Sequence, residues 1–276
     1  MRRVLFLLPL SLFACSDKGT PDDTGSPDDT ADTSESGDTE DTTTDTEETD
    51  TDPGTATVTG SVVDFEGNPV VGVEMQLCET VCYSAQTDGS GVYTFTDKAG
   101  GSYKLDALGH TVDPELGWIR VHVELAPAAA WSAPAALYLP HVYGPESLAS
   151  GSATFGEGMG SVTLGADLAN LTVPFGFEAD EFWGGFVAGS EVPAMWEMQN
   201  VMAAAAFSPL GTVVKAPIDV TVNAGNAPDG SYNVYSVDAH GELEGPVGTA
   251  TASGGVFTAT GLQPTILSWL LFVPQV

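Results

Sequence analysis

The run IRVHVEL at residues 119–125 decides the fold class of this chain. Apolar and polar side chains alternate strictly through it, which is typical of a β-strand with one face in a core and the other in solvent. The same alternation recurs in five other short runs, at residues 71–77, 103–106, 162–164, 218–222 and 232–234. Turns rich in glycine, proline, asparagine and aspartate separate the runs. We therefore expect an all-β protein built from antiparallel β-sandwiches.

The spacing of the turns divides the predicted fold into two parts. Turn sequences at residues 66–69, 88–91 and 99–101 lie close together, and this spacing predicts a sandwich of about seven strands over residues 55–140. Later turns fall at residues 225–230, 238–241 and 253–255. They predict a second β-sandwich over residues 141–276.

Four stretches of the first part carry a family signature. They are TGSVVD at residues 59–64, GNPVVGV at 67–73, TDGSGVYTF at 87–95 and GSYKL at 101–105. Together they resemble carboxypeptidase regulatory-like domains, which are transthyretin-like, carbohydrate-binding-like sandwiches found on exported bacterial proteins. The resemblance implies the fold and no catalytic residue, because that fold hosts spacers, adhesins and sugar binders alike.

The second part carries a partial signature of its own. Its stretches are LTVPFG at residues 171–176, FSPLG at 207–211, APIDVTV at 216–222, SYNVY at 231–235 and GVFTAT at 255–260. They resemble the ZU-type sandwich of ankyrins and netrin receptors, which implies an interaction module. Residues 185–206 have no counterpart there. Within them, Met195, Trp196, Met198, Val201 and Met202 recur three and four residues apart, which predicts a short capping helix.

The amino terminus predicts export. The basic start MRR is followed by an apolar run at residues 4–13 and then by Ala14 and Cys15. A basic start, about ten apolar residues and a small residue at the cleavage position make a secretory signal. A cysteine directly after that residue makes a bacterial lipoprotein signal, with a signal peptide over residues 1–14 and lipidation of Cys15. Phe13 is unusual for such a signal, so a plain secretory signal with an accidental cysteine is the alternative.

Residues 15–54 predict a disordered acidic tether after the lipidated cysteine. Apart from Cys15, they consist almost wholly of aspartate, threonine, glutamate, serine, glycine and proline. Such a segment cannot bury enough apolar surface to offset the entropy of ordering it. Several acyl chains on Cys15 would anchor the tether stably in a membrane. Ser16 favours the outer membrane or cell surface. O-linked sugar on the threonines and loose calcium binding are alternative roles for the tether.

The charge of the chain excludes some partners. It has 38 acidic and seven basic residues, a formal net charge of −31. Nucleic acid is excluded as a partner because phosphate contacts need a basic face. Strong net charge also favours a soluble monomer. The expected partners are the membrane, through the lipid anchor, and a glycan or an envelope protein.

Two cysteines remain if Cys15 is lipidated. Cys78 and Cys82 lie between two predicted strands, and exported proteins meet an oxidising compartment. We expect them to form a disulfide. A zinc site would need two further nitrogen or sulfur ligands, and no second cysteine pair or nearby histidine offers them.

One aromatic cluster is the candidate ligand-binding site. It comprises Phe175, Phe177, Phe182, Trp183 and Phe186, with the carboxylates of Glu178 and Asp180 among them. Aromatic faces stack on sugar rings while carboxylates accept hydrogen bonds from hydroxyl groups. Alternatively, the rings plug one end of the sandwich.

Motifs for catalysis are missing from the sequence. It contains no nucleophile elbow, phosphate-binding loop or zinc-protease motif, and its four histidines are scattered. We therefore predict no catalytic residue, no metal site and no cofactor. The expected function is non-catalytic: display of β-sandwich modules at the cell envelope for structural or protein-interaction roles. Carbohydrate binding by residues 175–186 is the alternative, and a hydrolase assembled only in the fold is the third.

Overall fold

The computed structural model describes residues 54–275 of the chain, which form part of one compact unit. These residues fold into an all-β sandwich-like structure, which confirms the predicted fold class. The predicted signal peptide, Cys15 and most of the tether lie outside the described residues. Within them, no helix has the length and apolar character to cross a bilayer. The boundary after residue 140 stays a prediction.

The first part of the described chain contains eight strands. They are Ala56–Val63 (β1), Glu74–Cys78 (β2), Cys82–Gln86 (β3), Val92–Lys98 (β4), Gly101–Leu108 (β5), Trp118–Leu125 (β6), Ala130–Ser132 (β7) and Leu137–Tyr138 (β8). One sheet has the order β4-β1-β7, with β8 also paired to β1, and the other has the order β3-β2-β5-β6. Both β7 and β8 pair parallel to β1, so this sandwich is not wholly antiparallel as expected.

The second part contains thirteen strands. They are Tyr143–Ser147 (β9), Ser152–Phe155 (β10), Val162–Gly165 (β11), Leu171–Thr172 (β12), Glu181–Ala188 (β13), Ala203–Ser208 (β14), Thr212–Val214 (β15), Ile218–Asn223 (β16), Gly230–Val237 (β17), Leu243–Ser253 (β18), Val256–Leu262 (β19), Ile266–Leu267 (β20) and Leu270–Pro274 (β21). Ten of them form one sheet in the order β10-β11-β16-β19-β18-β17-β21-β14-β13-β9, and β12-β15-β20 form a small third sheet.

The ten-stranded sheet curls around its own core. That core contains the rings of Phe155, Phe182, Phe207, Phe257 and Phe272, all nearly inaccessible to solvent. Phe155 on β10 lies across the core from β13, which is next to the opposite edge of the sheet. A Cβ atom at Gly184 would lie 2.5 Å from Cδ2 of Phe155, so this ring fits only because residue 184 has no side chain.

The first half of β6, residues 118–121, is buried on both faces, although the alternation at residues 119–125 predicted one solvent-facing side; only Glu124, further along that side, is exposed. Ile119 and Val121 enter the core of the first part, while Trp118 and Arg120 on the opposite face are 2% and 9% exposed. The reason is that the second part covers this face. Alternation reports which side chains share a face, but not whether a second layer covers the polar one.

The contact that covers β6 is made by buried polar groups. The indole N–H of Trp118 donates to the carbonyl of Phe207 at 2.8 Å. In return, the indole N–H of Trp269 donates to the carbonyl of Trp118 at 3.0 Å. Each large ring thus buries its apolar surface and satisfies its one donor, which locks the two parts together.

A buried ion pair lies beside the tryptophans. Arg120 donates from Nε and Nη2 to the two carboxylate oxygens of Asp106, both at 2.6 Å. Its Nη1 donates to the carbonyl of Ala239 at 3.0 Å, across to the second part. The guanidinium therefore uses its fork geometry on one carboxylate and retains a donor for the neighbouring loop.

The predicted disulfide is present in the structure. Cys78 and Cys82 face each other at the end of the β2–β3 hairpin and are joined. The loop is so short that the chain-entropy model assigns the bond only about 2 kcal/mol.

The helix predicted over residues 195–202 is wrong. Helical structure in residues 54–275 is confined to four single 3₁₀ turns, Gly109–Thr111, Leu168–Asn170, Gly189–Glu191 and Ala194–Trp196. The last of these ends where Glu197 adopts a left-handed conformation at φ 51°. Trp196 is nonetheless buried, with its ring 5.1 Å from that of Trp269. Burial of Trp196 against Trp269 holds the segment without continued helix.

We expect Asp106→Ala to lower the free energy of unfolding by about 3–5 kcal/mol, because it leaves the Arg120 charge buried without a partner. Urea denaturation measures this. The double variant Asp106→Leu with Arg120→Met is the control and should recover most of the loss, since it replaces both charges by apolar groups. An Asp106→Ala midpoint equal to that of the wild type would show that the ion pair does not stabilise the fold.

Candidate functional site

The structure does not bring the predicted aromatic cluster onto one surface. Phe182 is fully buried in the core of the second part, whereas the side chain of Phe175 is entirely exposed. Phe182 and Trp183 are consecutive residues of β13, so their side chains point to opposite faces of the sheet. Glu178 and Asp180 are exposed. A ring buried like Phe182 cannot stack on a ligand at the surface.

Two members of that cluster line a small cavity. Phe177 and Trp183 meet His110 there, in a space of about 180 Å³. The other lining residues are Pro114, Leu116, Val142 and Ser208. The cavity is mostly apolar and smaller than the roughly 300 Å³ at which small-molecule sites begin. It suits one small apolar group rather than a hydroxyl-bearing sugar ring.

A larger site lies elsewhere, at a groove that we call the aromatic groove. It consists of two adjoining depressions of about 500 and 280 Å³, which share Phe65, Tyr138 and Glu191. The smaller depression is further lined by His141, Tyr143, Gly160, Phe186 and Ala188. The larger one continues past Glu66 to residues 190–194. Strands and turns from both parts of the chain therefore build one concave surface.

Three rings lie in contact in this groove, the first two stacked and the third tilted. The ring of Phe65 lies 4.6 Å from that of His141, at an interplanar angle of 22°. The His141 ring lies 4.4 Å from that of Tyr143, at 50°. Phe65 and Tyr143 remain 38% and 42% exposed. The stack therefore offers aromatic surface to solvent while each ring is held by its neighbour.

Local structure holds the first ring. Phe65 lies in the turn after β1, where the carboxylate of Asp64 accepts the backbone N–H groups of Glu66 and Asn68, both at 2.8 Å. Burial acts to raise the pKa of Asp64, but these hydrogen bonds outweigh it and hold the pKa below its usual value. The turn is completed by Gly67 at φ 84°, a conformation that favours glycine.

The other two rings are held by contacts with distant segments. Nε2 of His141 lies 3.4 Å from a carboxylate oxygen of Glu115, and the two segments pair through an isolated antiparallel bridge between His141 and Leu116. The Tyr143 ring lies against Gly156, where a Cβ atom would come within 3.0 Å of a ring carbon. Gly156 also has a φ of 74°, so both space and backbone favour glycine there.

Glu191 forms the polar centre of the groove. One of its carboxylate oxygens accepts the backbone N–H of Ala188 at 3.2 Å. Burial raises the pKa of the Tyr138 phenol, and the nearby charge of Glu191 raises it further. The phenol therefore stays protonated as a donor, and the carboxylate is fixed as an acceptor next to the rings.

Sequence reasoning missed most of this groove. Of the predicted site residues only Phe186 lines it, while Phe65, Tyr138, His141 and Tyr143 were not singled out. A signal existed for three of them, since the sequence YLPHVY at residues 138–143 places three rings close together beside a proline. Nothing local indicated Phe65, which reaches the same surface from more than seventy residues away.

The hydrolase alternative was tested against the geometry around His122. Ser102 Oγ lies 3.5 Å from Nε2 of His122, but Oε1 of Glu124 lies 2.8 Å from the same nitrogen. Glu242 approaches Nδ1 only to 3.6 Å. A serine nucleophile needs the nitrogen that Glu124 engages, so this arrangement does not activate Ser102. Within residues 54–275 no group of three histidine, cysteine or carboxylate side chains could hold a metal ion.

Comparison with known proteins gives no family. No protein-family model and no curated protein sequence matches the chain. Among solved structures it is similar to the minor pilin GBS52 of Streptococcus agalactiae, with 16% identity over 34% of this chain and 46% of that one and a TM-score of 0.25. The chain thus spans under half of that pilin.

Two further structures cover more of the chain. One is a DUF3823 family protein from Bacteroides ovatus, with 12% identity over 78% of this chain and all of that one and a TM-score of 0.24. The other is the major pilin SpaD of Corynebacterium diphtheriae, with 10% identity over 79% and 81% and a TM-score of 0.25. TM-scores this low do not indicate a shared function.

His110 should make the stability of the protein depend on pH. The residue is solvent-accessible, but its ring lines the small cavity, 6.1 Å from the ring of Phe177. This partial burial lowers the pKa of His110 from the usual 6.5, and the charge of Glu74 opposes the shift. Below that value the unfolded state binds more protons than the folded state, so stability is lost as the pH falls. We expect a drop from pH 7 to pH 5 to lower the free energy of unfolding of wild type more than that of His110→Gln, as measured by urea denaturation. Parallel curves for the two proteins would contradict this.

Proposed function

We propose that this chain is an exported, non-catalytic lipoprotein that displays a rigid all-β body at the cell envelope and binds a glycan in the aromatic groove. The observation that carries the proposal is the exposed stack of Phe65, His141 and Tyr143 beside the fixed carboxylate of Glu191. The sequence suggested carbohydrate binding at residues 175–186 as the alternative function. We keep this ligand class and assign it to the aromatic groove instead.

The groove has the chemistry that a sugar ring needs. A pyranose has an apolar face of C–H groups, which packs on an aromatic ring, and a rim of hydroxyl groups that need partners. Phe65 and Tyr143 supply open aromatic surface. Glu191 supplies an acceptor for those hydroxyl groups, and its carboxylate is held in place before a ligand arrives. Preorganised groups lose less entropy on binding.

A purely structural or protein-interaction role is the second candidate function. It is supported by the interlock at β6, where Trp118, Trp269 and Arg120 bury donors from one part of the chain against carbonyl groups of the other. Such a junction makes the described body stiff, which suits a spacer that holds a partner away from a surface.

Export and anchoring are supported by two features of different kinds. The sequence has a lipoprotein-type signal ending at Ala14 and Cys15. The disulfide between Cys78 and Cys82 requires an oxidising compartment to persist, which the exterior of a bacterial cell provides.

The glycan proposal is tested on a glycan array with full-length protein carrying Cys15→Ser. We expect binding that falls about tenfold in Phe65→Ala and in Tyr143→Ala, because each substitution removes one stacking face. Phe175→Ala is the matched control, since it removes an exposed phenylalanine outside the groove and should bind like the parent. An array with no bound glycan, or equal binding by all three variants, would contradict the proposal.

Anchoring is tested by palmitate labelling in a bacterial host. Wild type should incorporate label into the protein, whereas Cys15→Ala should incorporate none, because the thioether on Cys15 initiates lipidation. Detergent-phase partitioning of the two proteins should follow the same pattern. A wild-type protein without label would be freely secreted, and the proposed tether would then have no membrane to extend from.

A further inference from the structure

We propose that the aromatic groove selects glycans whose sugar rings carry free primary ammonium groups, such as oligosaccharides of glucosamine, over neutral and anionic glycans. This inference rests on the proposed glycan-binding function and adds the charge of the ligand to it. Two observations carry it: the charge of the side chains that line the groove, and the charge of the body around it.

The groove is lined by acids on its polar side. Glu191 lies where the two depressions meet, and Glu66 lines the larger one. Asp64 is close enough for its charge to act on the Tyr138 phenol. Among the described residues that line either depression there is no lysine or arginine. A cationic group in the groove would thus meet carboxylates and aromatic faces, both of which attract it.

Histidine does not offset these acids. His141 is the one histidine among the described lining residues, and its Nε2 lies 3.4 Å from a carboxylate oxygen of Glu115. The His141 ring therefore has a carboxylate beside it and brings no lysine or arginine into the groove. The net charge of the side chains that line the groove is therefore negative.

The surrounding body strengthens the preference. Residues 54–275 contain 23 acidic and four basic residues, a formal charge of −19. Such a field raises the local concentration of cations at a concave site and repels anions. Glycans with carboxylate or sulfate groups would have to enter against it. Neutral glycans would neither gain nor lose from the field.

The aromatic stack favours an amino sugar over a basic peptide. The exposed surfaces of Phe65 and Tyr143 are flat, and a pyranose face covers such a surface while its amino group reaches the adjoining carboxylate. The two depressions are continuous through Phe65 and Tyr138, so successive sugar units of one chain can occupy them. A lysine side chain would use the charge but little of the flat surface.

The test uses full-length protein carrying Cys15→Ser and isothermal titration calorimetry near pH 6, where glucosamine amino groups are largely protonated. The ligands are the glucosamine hexasaccharide, its fully N-acetylated form, a hexamer of glucuronic acid, and hexalysine. We expect the glucosamine hexamer to bind about tenfold more tightly than the N-acetylated one, which one or two ion pairs of this kind provide. The glucuronic acid hexamer should show no binding.

Variants connect the preference to the groove. Glu191→Gln should weaken binding of the amino form by a larger factor than binding of the N-acetylated form, because only the amino form loses an ion pair. Glu66→Gln should do the same to a smaller extent and serves if Glu191→Gln fails to fold. Glu178→Gln is the matched control, because this exposed carboxylate lies outside the groove, and it should leave the preference unchanged.

The outcomes separate this inference from the proposed function. Equal affinity for the amino and N-acetylated hexamers would overturn the charge selectivity and leave glycan binding intact. Hexalysine binding as tightly as the glucosamine hexamer would also overturn it, because stacking would then contribute nothing. If none of these ligands binds and the glycan array is empty as well, the proposed function fails together with it.

Discussion

The burial of residues 118–121 of β6 on both faces is the constraint on which the rest of the described structure depends. Trp118 donates its indole N–H to one strand of the second part and accepts the indole N–H of Trp269 through its own carbonyl. Because both indole donors are paired, the burial of these two rings avoids the cost of an unsatisfied N–H. The contact fixes the two parts relative to each other. The aromatic groove follows from this, because Phe65 comes from one part and Phe186 from the other.

The same junction shapes the electrostatics of the surface. Arg120 is buried in its ion pair with Asp106, and Lys98 lies over the ring of Tyr83 at 3.6 Å. Of the four basic side chains in residues 54–275, these two are thus already engaged. Most of the 23 carboxylates remain in solvent. The body therefore presents an acidic surface to any ligand, and the groove with Glu191 at its centre is a concave part of that surface.

Local pattern predicted much of the fold and little of the candidate site. Alternation in the sequence correctly indicated strands such as β6, β16 and β17, because side-chain direction in a strand is a property of its own backbone. The disulfide was predictable because Cys78 and Cys82 are near in sequence and flank a turn. The helix predicted near Trp196 was wrong. Apolar residues three and four positions apart also occur in loops, and here the segment is a loop that buries one large ring, Trp196, against Trp269.

By itself, the sequence determined that this is an all-β chain with an acidic balance, since composition and short-range alternation carry those properties. Only the tertiary structure decided which surfaces face each other. It buried Phe182, left Phe175 in solvent, and stacked Phe65 on His141 although the two residues are far apart in the sequence. The physical reason is that a strand's pattern states which side chains share a face, whereas the partner of that face depends on strand order and on how the sheets pack.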